Sequence, residues 1–312
     1  MNAVPAPVEQ PIPPDQVFTP GIREDISHED YLAIDAFSSS GGKRLLQSPM
    51  HFHYDRTHPE DSASDSKRMG SALHMGILEP DRFDSGAVVI RPADAPARPG
   101  ARLVNAKNPS ADTLARVAWW EDFDASSAGR IVLTEDQAAK VRGMVDSVRR
   151  HPLYEDLFLG DGESEVTYQW TDARHGDAVP CKARYDRRQR SGLIVDIKSC
   201  TDASSDGFAR AVAAYRYHLQ EAHYRNGFEH LHGHSPEGFL FMAVENIAPY
   251  GCQLHANRPN AVMFALDQIE RAMLLYAQGR RSGYWRGYPE TVQPLVLPRR
   301  ALSIPTPEYG NF

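Results

Sequence analysis

The chain has few cysteines and no long apolar run, and both absences narrow its class. Its 312 residues include three cysteines, Cys181, Cys200 and Cys252, which lie far apart and form no Cys-x-x-Cys pair. This argues against a zinc ribbon, an iron–sulfur cluster and a disulfide framework, and a reduced cytosolic protein is expected. No stretch of about 18 apolar residues is present, which argues against a membrane span. The first residues, MNAVPAPVEQPIPPDQ, lack the basic start and apolar stretch of a secretory signal.

An excess of positive charge is also missing, since the formal net charge is −7. The sum does not indicate a nucleic-acid-binding protein, but the distribution of charge matters more than its total. One stretch collects cations that we predict, from their position beside a charged strand, to contact DNA: Lys182, Arg184, Arg187 and Arg188. Any one of them alone would be expected to be an ordinary solvated surface charge.

Hydrophobic residues make up 41% of the chain, which is enough for a substantial core and about one or two domains. Residues 1–20 are Pro-rich and without periodicity, which predicts a flexible arm. Residues 21–298 are predicted to form one domain, followed by a Pro-rich tail over 299–312. Helices are predicted over about 66–79 and 206–227, in LTEDQAAKVRGMVDSVRRHP after a capping box, and in PNAVMFALDQIERAMLLYAQGRR.

Strand patterns concentrate in the second half of the chain. EVTYQWT, VPCKARYD and LIVDIKS alternate apolar and polar residues and are joined by short loops, which predicts a meander. FLFMAVEN is a continuous apolar run typical of a central strand, and GCQLHA is predicted to pair beside it. GAVVIRP, much earlier, is a further predicted strand.

The stretch LIVDIKSC, residues 193–200, places two charges in an apolar run. Because side chains alternate along a strand, Asp196 and Lys198 project from the same face, and Asp186 can approach them across the short RRQRSG turn. Two carboxylates suit Mg²⁺, which prefers oxygen ligands, and a lysine beside them can orient a water for phosphodiester hydrolysis. Taken alone, the pattern also fits a strand with one solvated side, so it does not decide between the two.

Two further segments carry a resemblance to a known family. FARAVAAYRYHLQEAHYRNGF resembles the segment after the catalytic strand in RecE-type (exodeoxyribonuclease VIII-like) nucleases of the PD-(D/E)xK superfamily, phage or prophage versions included. It includes a Gln-x-x-x-Tyr pair, Gln220 and Tyr224, whose spacing puts both on one helical face. KRMGSALHMGILEP resembles that family's Gly-x-x-x-His helix, with His74, and GYWRGYPE is similar to its closing segment.

The resemblance implies a fold and a set of roles. The fold would be α/β, a restriction-endonuclease-like core with a mixed central sheet flanked by helices. Asp186 and Asp196 would bind Mg²⁺, with Mn²⁺ also supporting activity because histidine is a softer ligand. Lys198 would position the water. The remaining implied site residues are the metal ligands His74, Glu165 and the Ile197 carbonyl, and the site-shaping pair Gln220 and Tyr224.

The resemblance also implies an activity and partners. The chain would be a metal-dependent exonuclease that digests linear duplex DNA from the 5′ end and leaves 3′ single-stranded tails for recombination. It would form a ring-like homo-oligomer, act with a single-strand annealing recombinase and work in the cytoplasm of a bacterial or phage-infected host. Alternatives are a PD-(D/E)xK endonuclease, a Cas4- or RecB-like nuclease, and a catalytically idle module that binds DNA ends.

Overall fold

The structure is a computed structural model, and it describes residues 17–58, 64–174 and 178–297. Within these ranges the strands are β1 (Gly21–Arg23), β2 (Val88–Ile90), β3 (Ile131–Leu133), β4 (Gly162–Asp172), β5 (Val179–Gln189), β6 (Leu193–Cys200), β7 (Gly238–Glu245) and β8 (Cys252–His255). Most of the predicted arm (1–16) and the predicted tail (299–312) lie outside the described residues.

The helices of the described residues surround these strands. They are α1 (His28–Ala33), α2 (Ser39–Gln47), α3 (Pro49–Thr57), α4 (Asp65–Leu78), α5 (Pro80–Arg82), α6 (Ala101–Val104), α7 (Ala111–Ser126), α8 (Glu135–Arg149), α9 (Ser205–Tyr215), α10 (Tyr217–His232) and α11 (Pro259–Ser282). Short π-helical segments, Phe83–Ala87 and Glu155–Leu159, follow α5 and precede β4.

The central sheet has the strand order β1-β4-β5-β6-β7-β8. Strands β4, β5 and β6 form an antiparallel meander, β7 joins β6 in parallel, and β8 returns antiparallel to β7. The parallel step needs a crossover, which α9 and α10 supply. The mixed sheet and the meander confirm the predicted fold class. The predicted strand in GAVVIRP exists as β2, but it pairs with β3 in a separate two-stranded parallel sheet.

Each face of the central sheet is covered by its own apolar core. On one face, Tyr168, Trp170 and Phe241 pack against α10 and α11. On the other, Val195 and Ile197 pack against α4 and α8. Strand β6 therefore contributes alternate residues to the two cores, as its period of two requires.

The predicted helix boundaries hold in most places and fail in one. Thr134 and Gln137 form the predicted capping box at the start of α8. The predicted single helix over 206–227 is wrong, because Arg216 adopts a left-handed conformation (φ 53°) and divides it into α9 and α10. No described helix is both long and apolar enough to cross a membrane.

Candidate active site

Glu165 and Asp186 share one row of the sheet. Val166 of β4 pairs with Tyr185 of β5, so the preceding residue on β4 and the following residue on β5 lie opposite each other. Glu165 and Asp186 are not paired with each other, although the residues on both sides of them are. Glu165 also has a left-handed backbone, with φ of 55°. Such a conformation is costly for a residue other than glycine, and it persists where the surrounding structure enforces it, often at functional sites.

Strands β5 and β6 separate at the same level. Their last pair in this direction is Arg187 with Val195, so Asp186 and Asp196 stand at the next row, where the ladder has ended. The Asp186 carboxylate takes over part of the pairing, because its Oδ2 accepts a hydrogen bond of 2.7 Å from the backbone N–H of Ile197. The opening therefore brings acidic side chains of neighbouring strands to one place.

His74 completes a cluster with two of these acids. Its Nδ1 lies 3.6 Å from Asp186 Oδ2 and 3.9 Å from Glu165 Oε1. One ligand atom from each of the three residues lies within 4.8 Å of the others. Glu165, a metal ligand implied by the resemblance, is thus a member of the group.

Helix α4 holds His74 in place. The Ser64 side chain accepts a hydrogen bond from the backbone N–H of Lys67 and so caps the helix N-terminus. Helix α4 packs very closely on α8 at Gly76, where a Cβ atom would lie 2.5 Å from a methyl group of Val145. This contact sets the position of α4. Only glycine permits this approach.

Asp196 and Lys198 form a buried ion pair beside this cluster. Asp196 is fully buried (0% exposed), and its Oδ1 accepts a hydrogen bond of 2.6 Å from Gln220 Nε2 on α10. Its Oδ2 forms the ion pair with Lys198 Nζ and has no other polar partner among the described residues. The predicted solvent-facing alternative for this strand is therefore wrong, since α10 covers Asp196.

Tyr224 lies one turn after Gln220 and is also buried. Its backbone carbonyl accepts a hydrogen bond of 2.6 Å from the Tyr185 hydroxyl, which ties α10 to β5. Burial raises the pKa of the Tyr224 phenol well above its ordinary value, so it stays neutral. The predicted pair on α10 thus has two parts: Gln220 contacts Asp196 directly, and Tyr224 anchors the helix that carries Gln220.

The pKa values of the cluster depend on one another. Burial alone would lower the pKa of His74, but Asp186 and Glu165 raise it to about 9. Burial raises the pKa of Asp186 above its ordinary value, and the nearby Asp196 charge adds to the effect. The pKa of Glu165 is lowered despite its burial, by hydrogen bonds and charge from His74 and Arg184. Without a metal, His74 therefore acts as the counter-charge of the two acids.

These residues fit a hard divalent cation. The cluster of His74, Glu165 and Asp186 offers carboxylate oxygens and one imidazole nitrogen, and the buried Asp196 Oδ2, whose partner among the described residues is Lys198, lies beside it. Mg²⁺ and Mn²⁺ take such donors. Lys198 stays an ammonium beside them: burial would lower its pKa, but Asp196 and Asp186 raise it. The role predicted for the Ile197 carbonyl remains a prediction.

The predicted DNA-contacting cations have internal partners. Lys182 is 5% exposed and donates to the carbonyls of Tyr31 and Ile34. Arg184 donates to Glu165 Oε2 at 2.6 Å. Arg187 donates to backbone carbonyls and Arg188 pairs with an acid on β4. These contacts link β5 to β4 and to the chain around α1, and they hold Glu165 in place. Phosphate binding by the four side chains remains a prediction.

One cation near the site was not predicted. Lys43 on α2 lies with its Nζ 5.3 Å from the ring centroid of Tyr217, and Lys198 Nζ lies 5.0 Å from the same centroid. The Gly-Gly-Lys sequence at 41–43 lacks the spacing of a phosphate-binding loop. No sequence pattern connects Lys43 with Lys198, which lies 155 positions later. Only the packing of α2 against α10 reveals the contact.

One solved structure shares the fold. A structure described as a "putative exonuclease" from Eubacterium rectale aligns over 86% of this chain and 96% of its own, with a TM-score of 0.55 and 14% sequence identity. A second structure, of SSO0001, covers 69% of this chain and 88% of its own at 12% identity, but its TM-score of 0.28 is too low to support a comparison. No curated protein sequence matches.

A family match covers most of the chain. Residues 38–293 match the family described as a PDDEXK-like domain of unknown function (DUF3799). The matched range contains every member of the cluster at the opened strands, including the Asp-Ile-Lys of β6. The chain therefore belongs to this PDDEXK-like family, within the PD-(D/E)xK nuclease superfamily.

Proposed function

We propose that this chain is a metal-dependent nuclease that hydrolyses DNA phosphodiester bonds as an exonuclease. It would act on the ends of linear duplex DNA, from 5′ to 3′, and leave 3′ single-stranded tails for recombination. The observation that supports this most directly is the convergence of His74, Glu165 and Asp186 within 4.8 Å, next to the buried Asp196–Lys198 pair. A nuclease family and a nuclease-like fold point the same way.

The side chains divide the work by their chemistry. His74, Glu165, Asp186 and Asp196 would hold Mg²⁺ or Mn²⁺, which when bound polarises a phosphoryl oxygen and lowers the pKa of a bound water. Lys198 carries a proton at neutral pH and donates hydrogen bonds toward the attacking water and the scissile phosphate. Gln220 keeps Asp196 oriented through its 2.6 Å hydrogen bond. Because these groups are held by packed strands and helices, little reorganisation is needed at the moment of reaction.

The activity is tested with linear and covalently closed circular duplexes of the same sequence, each incubated with Mg²⁺ or with EDTA. We expect the linear DNA to be degraded with Mg²⁺ only and the circle to stay intact. Duplexes labelled at the 5′ or the 3′ end then report polarity, and early release of the 5′ label is expected. Asp186→Asn, which keeps a hydrogen-bond acceptor for Ile197, is the control for contaminating nucleases.

Other outcomes identify the alternatives. Nicked circles would indicate an endonuclease, and early loss of the 3′ label would contradict the proposed polarity. DNA-end binding without cleavage in either metal would indicate an idle module. The ring-like oligomer, the single-strand annealing partner and the cytoplasmic location implied by the resemblance stay predictions.

A further inference from the structure

The ring of Tyr217 lies close to two ammonium groups at the edge of the site. Lys43 Nζ and Lys198 Nζ lie 5.3 and 5.0 Å from its ring centroid. The ring reaches this position because the left-handed Arg216 ends α9 and starts α10 in a new direction. Contacts with Phe208 and Phe241, each 6.2 Å away between centroids, hold the ring from the side of the core.

Among the described residues, Lys43 has no direct ionic partner. Lys198 is paired with Asp196, whereas Lys43 makes no hydrogen bond or ion pair with any residue in the described ranges. Burial lowers the pKa of Lys43 to about 8, and repulsion from Lys198 adds to the effect. Asp196 attracts Lys43 but is in direct contact with Lys198 only, and an anion placed beside Lys43 would relieve its repulsion from Lys198.

A second, exposed aromatic ring, that of Tyr215, packs on the solvent side of Tyr217. The ring of Tyr215 stacks on Tyr217 with 5.5 Å between centroids and 23° between planes, and Tyr215 is 64% exposed. Its outer face is therefore open to a planar ligand. Aromatic faces next to a cation are the features by which proteins hold unpaired nucleotides, the base on the ring and the phosphate on the charge.

We propose that Lys43, Tyr217 and Tyr215 form a nucleotide-binding subsite that holds the nucleotide next to the scissile phosphate. Lys43 binds the phosphate of that nucleotide, and the base stacks on the outer face of Tyr215. The position of the nucleotide relative to the cut rests on the proposed nuclease function. The chemistry of the occupant, an unpaired nucleotide, rests on the contacts of these three residues.

Binding in EDTA tests the subsite separately from cleavage. The ligands are a fluorescent oligothymidylate of about 12 nucleotides, a length within the range that single-strand binding folds cover, and an abasic strand of equal length. Tyr215→Ala is expected to weaken oligothymidylate binding about fivefold or more, the range for loss of one base stack, and to leave abasic binding unchanged. Tyr215→Phe keeps the ring and should restore the affinity.

Lys43→Met should weaken binding of both strands equally and reduce the slope of log affinity against log salt by about 1, as for loss of one phosphate contact. Its melting temperature should be no lower than that of the wild type, because a charge without a direct ionic partner among the described residues has been removed. Lys140→Met and Tyr284→Ala, at an exposed lysine on α8 and an exposed tyrosine beyond α11, are matched controls. Neither should change affinity.

The outcomes separate the subsite from the proposed activity. If the wild type cuts DNA but the Lys43 and Tyr215 variants bind as it does, the subsite is refuted and the nuclease function stands. If the wild type cuts no DNA yet these variants lose affinity as described, the subsite stands and the nuclease function fails. Absence of oligonucleotide binding by the wild type would refute the subsite outright.

Discussion

At the scale of single residues, the buried carboxylate of Asp196 needs the two polar side chains that contact it, Lys198 and Gln220. A carboxylate that is 0% exposed would be unstable without compensation. Lys198 supplies the opposite charge and Gln220 a directed hydrogen bond. Asp196 Oδ2 is the oxygen in contact with the Lys198 ammonium group, so a metal bound there would share this oxygen with Lys198.

Lys198→Arg is expected to reduce cleavage about 100-fold or more, the range for loss of one preorganised catalytic donor. The guanidinium keeps the positive charge but is larger and planar, so it cannot occupy the ammonium position. Because Asp196 keeps a positive charge nearby but the larger group must be accommodated in a packed site, the loss in the free energy of unfolding should be smaller than for Lys198→Ala. Steady-state cleavage rates and chemical denaturation check the two parts.

Lys198→Ala serves as the contrasting variant. It leaves Asp196 buried with an uncompensated charge, which costs about 3–5 kcal/mol. A Lys198→Arg protein with wild-type cleavage would refute the role given to the lysine. A Lys198→Ala protein with wild-type stability would refute the ion pair.

At the scale of elements, the break between α9 and α10 positions both Tyr217 and Gln220. Arg216 has φ of 53° and ψ of 46°, a conformation typical of a helix C-terminal glycine. Had one helix continued through residue 216, the residues on both sides would point in other directions relative to the sheet.

Arg216→Gly should be more stable than Arg216→Ala by about 1 kcal/mol, because a left-handed conformation strains any residue with a Cβ. In an ordinary helix interior the order is the opposite. Ala213→Gly, at an exposed position of α9, is the control and should lose about 0.5–1 kcal/mol. Chemical denaturation of the three variants decides, and a more stable Arg216→Ala protein would contradict the break.

This element also shows where prediction from the sequence reaches its limit. The meander, the capping box of α8 and the Asp-Ile-Lys strand follow from local patterns, and His74 and Gln220 follow from motif resemblance. The segment around the break, FARAVAAYRYHLQEAHYRNGF, carries no glycine or proline there, so no local signal in the sequence indicates the left-handed Arg216. Lys43 was missed for a similar reason, since its neighbours at the site come from distant helices and strands.

At the scale of the whole molecule, the site joins the two cores. Strand β6 contributes Ile194 to one core and Val195 and Ile197 to the other. Helix α4 approaches from one face and α10 from the other, and their side chains meet where β5 and β6 have separated. Binding of a cation there should therefore stabilise the entire fold.

Stabilisation by Mg²⁺ should be greater at pH 9 than at pH 6.5. The pKa of His74 is raised to about 9 in the metal-free fold, so its stabilising contribution is complete below its ordinary pKa and is lost as pH rises through about 9. The raised pKa of Asp186 acts in the same direction at lower pH. A metal competes with these protons, so it binds more tightly as they leave.

Melting temperatures with and without Mg²⁺ at the two pH values measure this effect. A cation at 100 times its Kd would add about 2.7 kcal/mol. KCl at equal ionic strength controls for screening, and His74→Ala should flatten the pH dependence of the Mg²⁺ effect. An equal Mg²⁺ effect at both pH values in the wild type would contradict the assignment of His74.

The opening of the strands has a consequence for the chain while it is being synthesised. His74, Glu165, Asp186, Asp196 and Gln220 come from five separate elements. No segment synthesised before α10 holds the complete set, and the acids converge only after β4, β5 and β6 have paired and then parted. A nascent or partly folded chain therefore lacks the arrangement that the proposed cleavage of DNA requires, and on that proposal the assembly of the sheet determines when the activity begins.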